Sequence, residues 1–193
     1  MHDAPEDRIR AADLPEGDVI RILLDQHERI RKLFRDVSTA EGAHRSQAFD
    51  RLRALLAVHE TAEEMVLRPV TSKVAGDSVA RARNHEESEA NKVLAELERS
   101  DVASPEFLVR LAGFETSVTE HADAEEREEF PHILSACDEA RRQAMGRMLR
   151  AAEAVAPTHP HPSVAGSPAA QWAVGPFASL VDRARDAIRA VRG

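Results

Sequence analysis

The stretch HETAEEMVLRP at residues 59–69 returns in the same frame as HADAEEREEFP at residues 121–131. Each copy sets a His, a Glu four places on, a second Glu beside that one, and a Pro ten places after the His. Residues four apart share one face of a helix, so each copy offers an imidazole and a carboxylate side by side. The apolar residues around them say where that face points. Phe107, Leu111, Phe114 and Val118 recur at alternating steps of four and three, and His121 and Glu125 take the next two positions of the same stripe. His59 lies seven residues after Leu52 and three after Leu56, with Glu63 four beyond it. Both pairs are expected to face a core.

Two further histidines join them. His27 is four residues after Leu23, three before Ile30 and seven before Phe34, which predicts an inward side chain. His85, in RNHEESE, has Ala82 before it and Val93 after it on one side and is read as inward too. Asp18 is a good N-cap for a first helix reaching about Val37. The segment STAEGA breaks it, and a second helix bends or ends near Pro69. AGDS (75–78) is the next turn, a third helix runs from about Val79 to Arg99, and Ser104 with Pro105 opens a fourth. No strand pattern competes. The expected fold is all-α, an up-down-up-down four-helix bundle with additional C-terminal helices. Counting from the turns places the four histidines within about one helical turn of a common depth.

The expected organisation is an N-terminal arm at 1–17, the bundle at 18–155 including a fifth helix, a Pro-rich linker at 156–171, and a C-terminal amphipathic helix at 172–193. That last helix carries Phe177, Leu180, Val181, Ala184 and Ile188 as a stripe, so it should pack on the bundle or a second subunit and take no part in chemistry. The oligomeric state is left open.

Imidazoles and ionised carboxylates inside a bundle each cost several kcal/mol when unpartnered, roughly speaking, and neither hairpin is expected to supply an inward Lys or Arg. A multivalent cation would supply the missing charge. The one cysteine, Cys137, excludes a thiolate cage and an internal disulfide, and the absence of Tyr excludes a Tyr-ligated centre. Cys137 is read as a buried small hydrophobe, with a redox thiol as the alternative. Four imidazoles and two carboxylates suit Fe, Zn or Mn, and two carboxylates between His pairs suit a dinuclear centre. Any one of these histidines alone is more often a locally packed residue, and HxxxE alone is often an i,i+4 contact. The joint pattern carries the argument. His2, His44, His132, His159 and His161 lie in the arm, near turns or in the linker and are read as non-ligands.

A net charge of −8 with no basic cluster argues against nucleic acid as a partner. No apolar run approaches the roughly 18 residues of a membrane span, and MHDAPEDRIR lacks a signal peptide's apolar region. The expectation is a cytoplasmic protein, off the membrane, whose partner is a small molecule or ion.

With H…HxxxE…H…HxxxE assembled, residues 18–135 resemble the hemerythrin family, specifically its HHE cation-binding branch. The resemblance implies two Fe ions in an oxo- or hydroxo-bridged di-iron centre, with His27, His59, His85 and His121 as terminal ligands and Glu63 and Glu125 as bridges. Oxygen-carrying hemerythrins have a second His one turn after the third-helix His, where Glu89 stands here, and a fourth-helix Asp five residues after its His, where Glu125 follows after four. Simple oxygen carriage is therefore not the expectation. HHE-type members imply iron or oxygen sensing, or peroxide and nitric oxide chemistry, and some use a Glu directly after the second-helix His, here Glu60. Glu60 and Glu89 are thus candidate additional ligands, Glu89 favoured by reach and Glu60 by family precedent. The HxxxE order sets the chain apart from ferritin-like bundles, which use ExxH. The expected function is a di-iron protein that binds or reacts with O2, H2O2 or NO, with weak catalase- or peroxidase-like activity. Its rival is an iron, oxygen or redox sensor whose metal site stabilises a bundle read by a partner, and a third reading is a plain helical interaction domain.

Overall fold

The computed structural model describes residues 9–155 and 177–192 of the chain. Four rods form the bundle. The first is α1 (Val19–Thr39), capped by the Asp18 side chain, which accepts from the Ile20 amide at 3.0 Å. The second is α2 (Gly42–Ala62), which passes through a π-helical turn at Glu63–Leu67 into α3 (Arg68–Val74). Gly76, at φ 98°, makes the turn into α4 (Asp77–Glu98). The fourth rod is α5 (Pro105–Ala124), opened by Ser104, which accepts from the Phe107 amide. It passes through a second π turn at Glu125–Glu129 into α6 (Phe130–Ala136). No strand occurs among the described residues.

The two π turns fall at the same place in the two sequence copies, and proline explains both. Pro69 and Pro131 have no amide hydrogen, and each ring would clash with the carbonyl four residues earlier in an unbroken α-helix. A wider turn relieves the clash: the Arg68 amide reaches back five residues to the Glu63 carbonyl, and Phe130 does the same to Glu125. The second rod therefore continues past Pro69 to Val74.

Two apolar clusters fill the bundle. One gathers Ile30, Phe34, Phe49, Leu52, Leu56, Leu94, Leu97, Phe107, Leu111 and Phe114. The other gathers Ile20, Leu23, Leu67, Phe130, Ile133, Leu149 and Ile188 with their neighbours. His27 on α1 and His59 on α2 lie in the chain between members of one cluster and members of the other, so a polar layer separates the two.

Beyond the four rods, α7 (Glu139–Val155) and α8 (Phe177–Arg192) cover the α1–α2 face. Arg142 of α7 pairs with Asp18 at 2.6 Å, and Gly146 lies so close to the Gly17 carbonyl that any Cβ there would collide with it. From α8, Ala184 and Ile188 are buried and Val181 packs on Ala54 and Ala57, while Arg185 pairs with Glu64 at 2.7 Å. The predicted linker at 156–171, and the side chains of Phe177 and Leu180, lie outside what the structure describes. The predicted arm is packed where it is described: Ile9, Ala11 and Leu14 touch the core, and the Leu14 carbonyl accepts from Arg21. No helix among the described residues is long and apolar enough to cross a membrane.

Candidate metal centre

The polar layer brings together His27, His59, Glu63, His121 and Glu125, with Glu87 from α4 as the sixth member. Two sets of four can each place one ligand atom per residue within 4.8 Å of the others: His27, His59, Glu63 and Glu125, and Glu63, Glu87, His121 and Glu125. Glu63 and Glu125 belong to both sets, and each divides its oxygens between them. Glu63 turns Oε1 to His59 Nε2 at 3.4 Å and Oε2 to His121 Nε2 at 3.9 Å. Glu125 turns Oε2 to His27 Nε2 at 3.4 Å and Oε1 to His121 Nε2 at 3.2 Å. Both carboxylates are fully buried.

Each of the three inward imidazoles is held from behind. Nδ1 of His27 meets Glu126 Oε1 at 2.9 Å, Nδ1 of His59 meets Gln26 Oε1 at 2.9 Å, and Nδ1 of His121 meets Glu86 Oε2 at 2.8 Å. All three partners are acceptors, so Nδ1 carries the proton and donates. In the neutral ring Nε2 then presents its lone pair to the layer, the arrangement that outer partners impose on metal-binding histidines. Gln26 is anchored in turn by donating Nε2 to Glu153 of α7 at 2.9 Å.

The inward atoms lack hydrogen bonds: Nε2 of His27 and of His121, both oxygens of Glu63, and Oε2 of Glu125 are buried with none. Buried polar atoms without partners cost free energy that a native fold rarely leaves uncompensated. A cation would satisfy all of them at once, and the donors are nitrogen and oxygen in the mixture that transition metals take. The residues present fit a metal.

Their electrostatics agree. Burial pushes Glu63 up, helped by the charge of Glu125, to about 8. Burial also resists a charge on Glu125, but His121 and Arg68 outweigh it and hold that carboxyl well below its ordinary range. Burial works against a charge on His27 too, yet the nearby Glu125 carboxylate and the contact with Glu126 lift it to about 9. His59, buried and next to His27, is driven well below its ordinary value. Protons crowd into a layer built for a different cation.

Three expectations from the sequence fail here. His85 is exposed, because α4 turns a different stripe inward: Ala80, Arg83, Glu87, Ala90, Leu94 and Leu97. Leu94 and Leu97 outweigh Ala82 and Val93 as buried apolar area, and that stripe puts Glu87 where His85 was expected. Glu89 is exposed with it and pairs with Lys92 at 2.5 Å, so its expected reach into the site is lost. The layer also contains an arginine. Arg68 is buried and donates Nη2 to Glu125 Oε1 at 2.6 Å and to Glu87, and Nη1 to Glu129 at 2.6 and 2.7 Å. On an unbroken α-helix the fifth residue after Glu63 would lie about 140° round the axis. The π turn returns it to Glu63's side.

Glu60 lines a cavity of about 30 Å³ beside the layer, with His27, Ile30, Leu56, His59 and Glu87 among its other walls. The volume suits a molecule the size of water or a diatomic gas. Burial and the charge of Glu87 push Glu60 up to about 8, against a hydrogen bond from Asn91. Among the other described histidines, His44 and His132 are exposed and belong to neither ligand set. Cys137 is buried in the apolar core. Gln26, Glu86 and Glu126 were not foreseen from sequence, and only the adjacency of Glu126 to Glu125 hinted at a role.

Known proteins are similar to this chain. An uncharacterized hemerythrin-like protein of Schizosaccharomyces pombe is 27% identical over 134 residues, 68% of this chain and 66% of that protein, so the chain spans just under two thirds of its relative. The crystal structure of a hemerythrin HHE cation binding domain-containing protein from Mycobacterium kansasii superposes with a TM-score of 0.65 at 22% identity, covering 91% of this chain and 98% of that one. At that identity the likeness establishes the fold alone. The Hemerythrin HHE cation binding domain profile matches residues 18–133, the span that holds every member of the polar layer, and the chain belongs to that metal-binding family.

Proposed function

We propose that the layer holds two irons and that the protein binds or reacts with O2, H2O2 or NO there. One observation carries the reading: two sets of ligands share Glu63 and Glu125, and each shared carboxylate turns one oxygen to each set. A single-metal site would need only one such set. Iron, when bound, supplies redox and Lewis-acid chemistry. The chain supplies the rest. Glu126, Gln26 and Glu86 hold the three imidazoles in one tautomer and orientation, the apolar clusters exclude bulk water, and the small cavity admits a small molecule on the Glu60 side. Glu60, raised toward neutrality, is placed to give or take a proton at that cavity.

The test is metal analysis of the chain expressed in iron-supplied medium, together with near-ultraviolet absorption and a peroxide-decay assay. The expected result is two irons per chain, slow peroxide turnover, and turnover changed by Glu60→Gln with both irons retained. Iron well below one per chain would remove the reading. Two irons with no turnover of peroxide or NO would favour the sensor, and a fully reversible oxygen complex without peroxide turnover would restore the carrier.

A further inference from the structure

The two sequence copies are equivalent at Glu63 and Glu125, but they diverge five residues later, at the position each π turn swings inward. After Glu125 that position is Phe130, which is fully buried and stacks on His27 with ring centroids 5.8 Å apart and planes at 14°. After Glu63 it is Arg68. One half of the layer, with His27 and His59, is therefore closed by an apolar ring. The other half, with Glu87 and His121, is closed by a guanidinium whose Nη2 touches Glu87, lies 2.6 Å from Glu125 and is 3.5 Å from Glu63. Those three carboxylates are the oxygen donors of the second ligand set.

We infer that Arg68 is an internal counter-cation that occupies the Glu87–His121 half until a metal displaces it, so that the His27–His59 half loads first and the second half loads more weakly. This rests on the two-metal reading above. Three observations argue for it. Arg68 Nη2 makes its bonds to the atoms a cation in that half would need, and charge-assisted bonds of this kind set the resistance to displacement. Nη1 is held separately by Glu129, itself bonded by the Thr71 hydroxyl, so the guanidinium keeps a buried carboxylate partner when Nη2 lets go. Among the described residues the His27–His59 half has no such competitor at that position, because Phe130 stands in the equivalent place.

The experiment is a calorimetric titration of the metal-free full chain with Fe(II) under anaerobic conditions, comparing the unmodified protein with Arg68→Met. The unmodified chain should take up iron in two resolved steps. Arg68→Met should tighten the second step by about ten- to a hundred-fold, the equivalent of one charge-assisted hydrogen bond, with a much smaller change in the first. Arg68→Gln, which keeps the polarity and most of the volume, should behave the same way and serves if Arg68→Met does not fold. Two equal steps in the unmodified chain, or equal tightening of both steps in a variant, would overturn the inference while leaving the two-metal reading in place. No iron uptake at either step by the unmodified chain would overturn both.

Discussion

Gln26 and Glu86 never face the layer, yet each holds an imidazole that does. Outer partners of this kind typically account for about ten- to a hundred-fold in metal affinity. Gln26→Ala and Glu86→Ala should each lower iron affinity by that order without unfolding the chain, as a competition titration against a chromophoric chelator would read. His59→Ala and Glu125→Ala, which remove inward donors, should lose iron outright. The metal-free layer also predicts a pH dependence. His27 rises from 6.5 to about 9 and Glu63 from 4.5 to about 8 on folding, so between pH 6.5 and 8 the folded chain binds more protons than the unfolded one at both groups. Stability contributed by a raised group is complete below its unfolded value and lost as pH climbs through its folded one. His59 shifts the opposite way, and its contribution changes only below 6.5. Metal-free protein should therefore melt at progressively lower temperature from pH 6.5 to 9, and a melting temperature flat or rising over that window would contradict the assignment. Iron uptake should release protons over the same range.

At the scale of the element, the π turns convert a proline into a functional device. Each turn lets a helix continue past Pro69 or Pro131, and each turns a residue that straight-helix counting places elsewhere toward the layer. Helix α7 contributes differently, reaching the site through Glu153 and Gln26 while docking on the start of α1 at Gly146 and Gly17. Gly146→Ala adds a methyl where a carbonyl oxygen already stands. Overpacking of that kind costs about 1–3 kcal/mol, which exceeds the gain in helix propensity of roughly 1 kcal/mol. The variant should unfold at lower urea concentration than the unmodified chain. Because α7 orients Gln26, its iron affinity should fall as well.

Across the whole molecule, the two apolar clusters meet at a layer of carboxylates and imidazoles, where hydrocarbon would otherwise give a continuous core. Metal that binds only the folded chain stabilises it by mass action. Iron removal should lower the melting temperature markedly and speed amide exchange in the middle of the bundle helices; equal melting temperatures would show a layer sufficient by itself. Helix α8 lies on the outside of α2 and α7, and its contacts with the bundle include apolar packing and the exposed ion pair of Arg185 with Glu64. Truncation before Pro157 should keep both irons and reduce stability. Loss of iron from a folded truncated chain would show that α8 helps to hold the site.

The chain's own periodicity determined the number of rods, their caps at Asp18 and Ser104, and the inward facing of His27, His59, Glu63, His121 and Glu125. Each of these follows from residues within two or three helical turns, where a step of 100° per residue is dependable. Tertiary structure decided what that step could not reach. The rotation of α4 depended on which of two stripes found more apolar surface to bury, and Leu94 with Leu97 prevailed, turning Glu87 in and His85 out. Arg68 entered the layer because a π turn broke the step itself. The acceptors behind the imidazoles come from distant parts of the chain, Gln26 for His59, Glu86 for His121 and Glu126 for His27, so no local spacing links them. Only the folded chain brings them within hydrogen-bond reach.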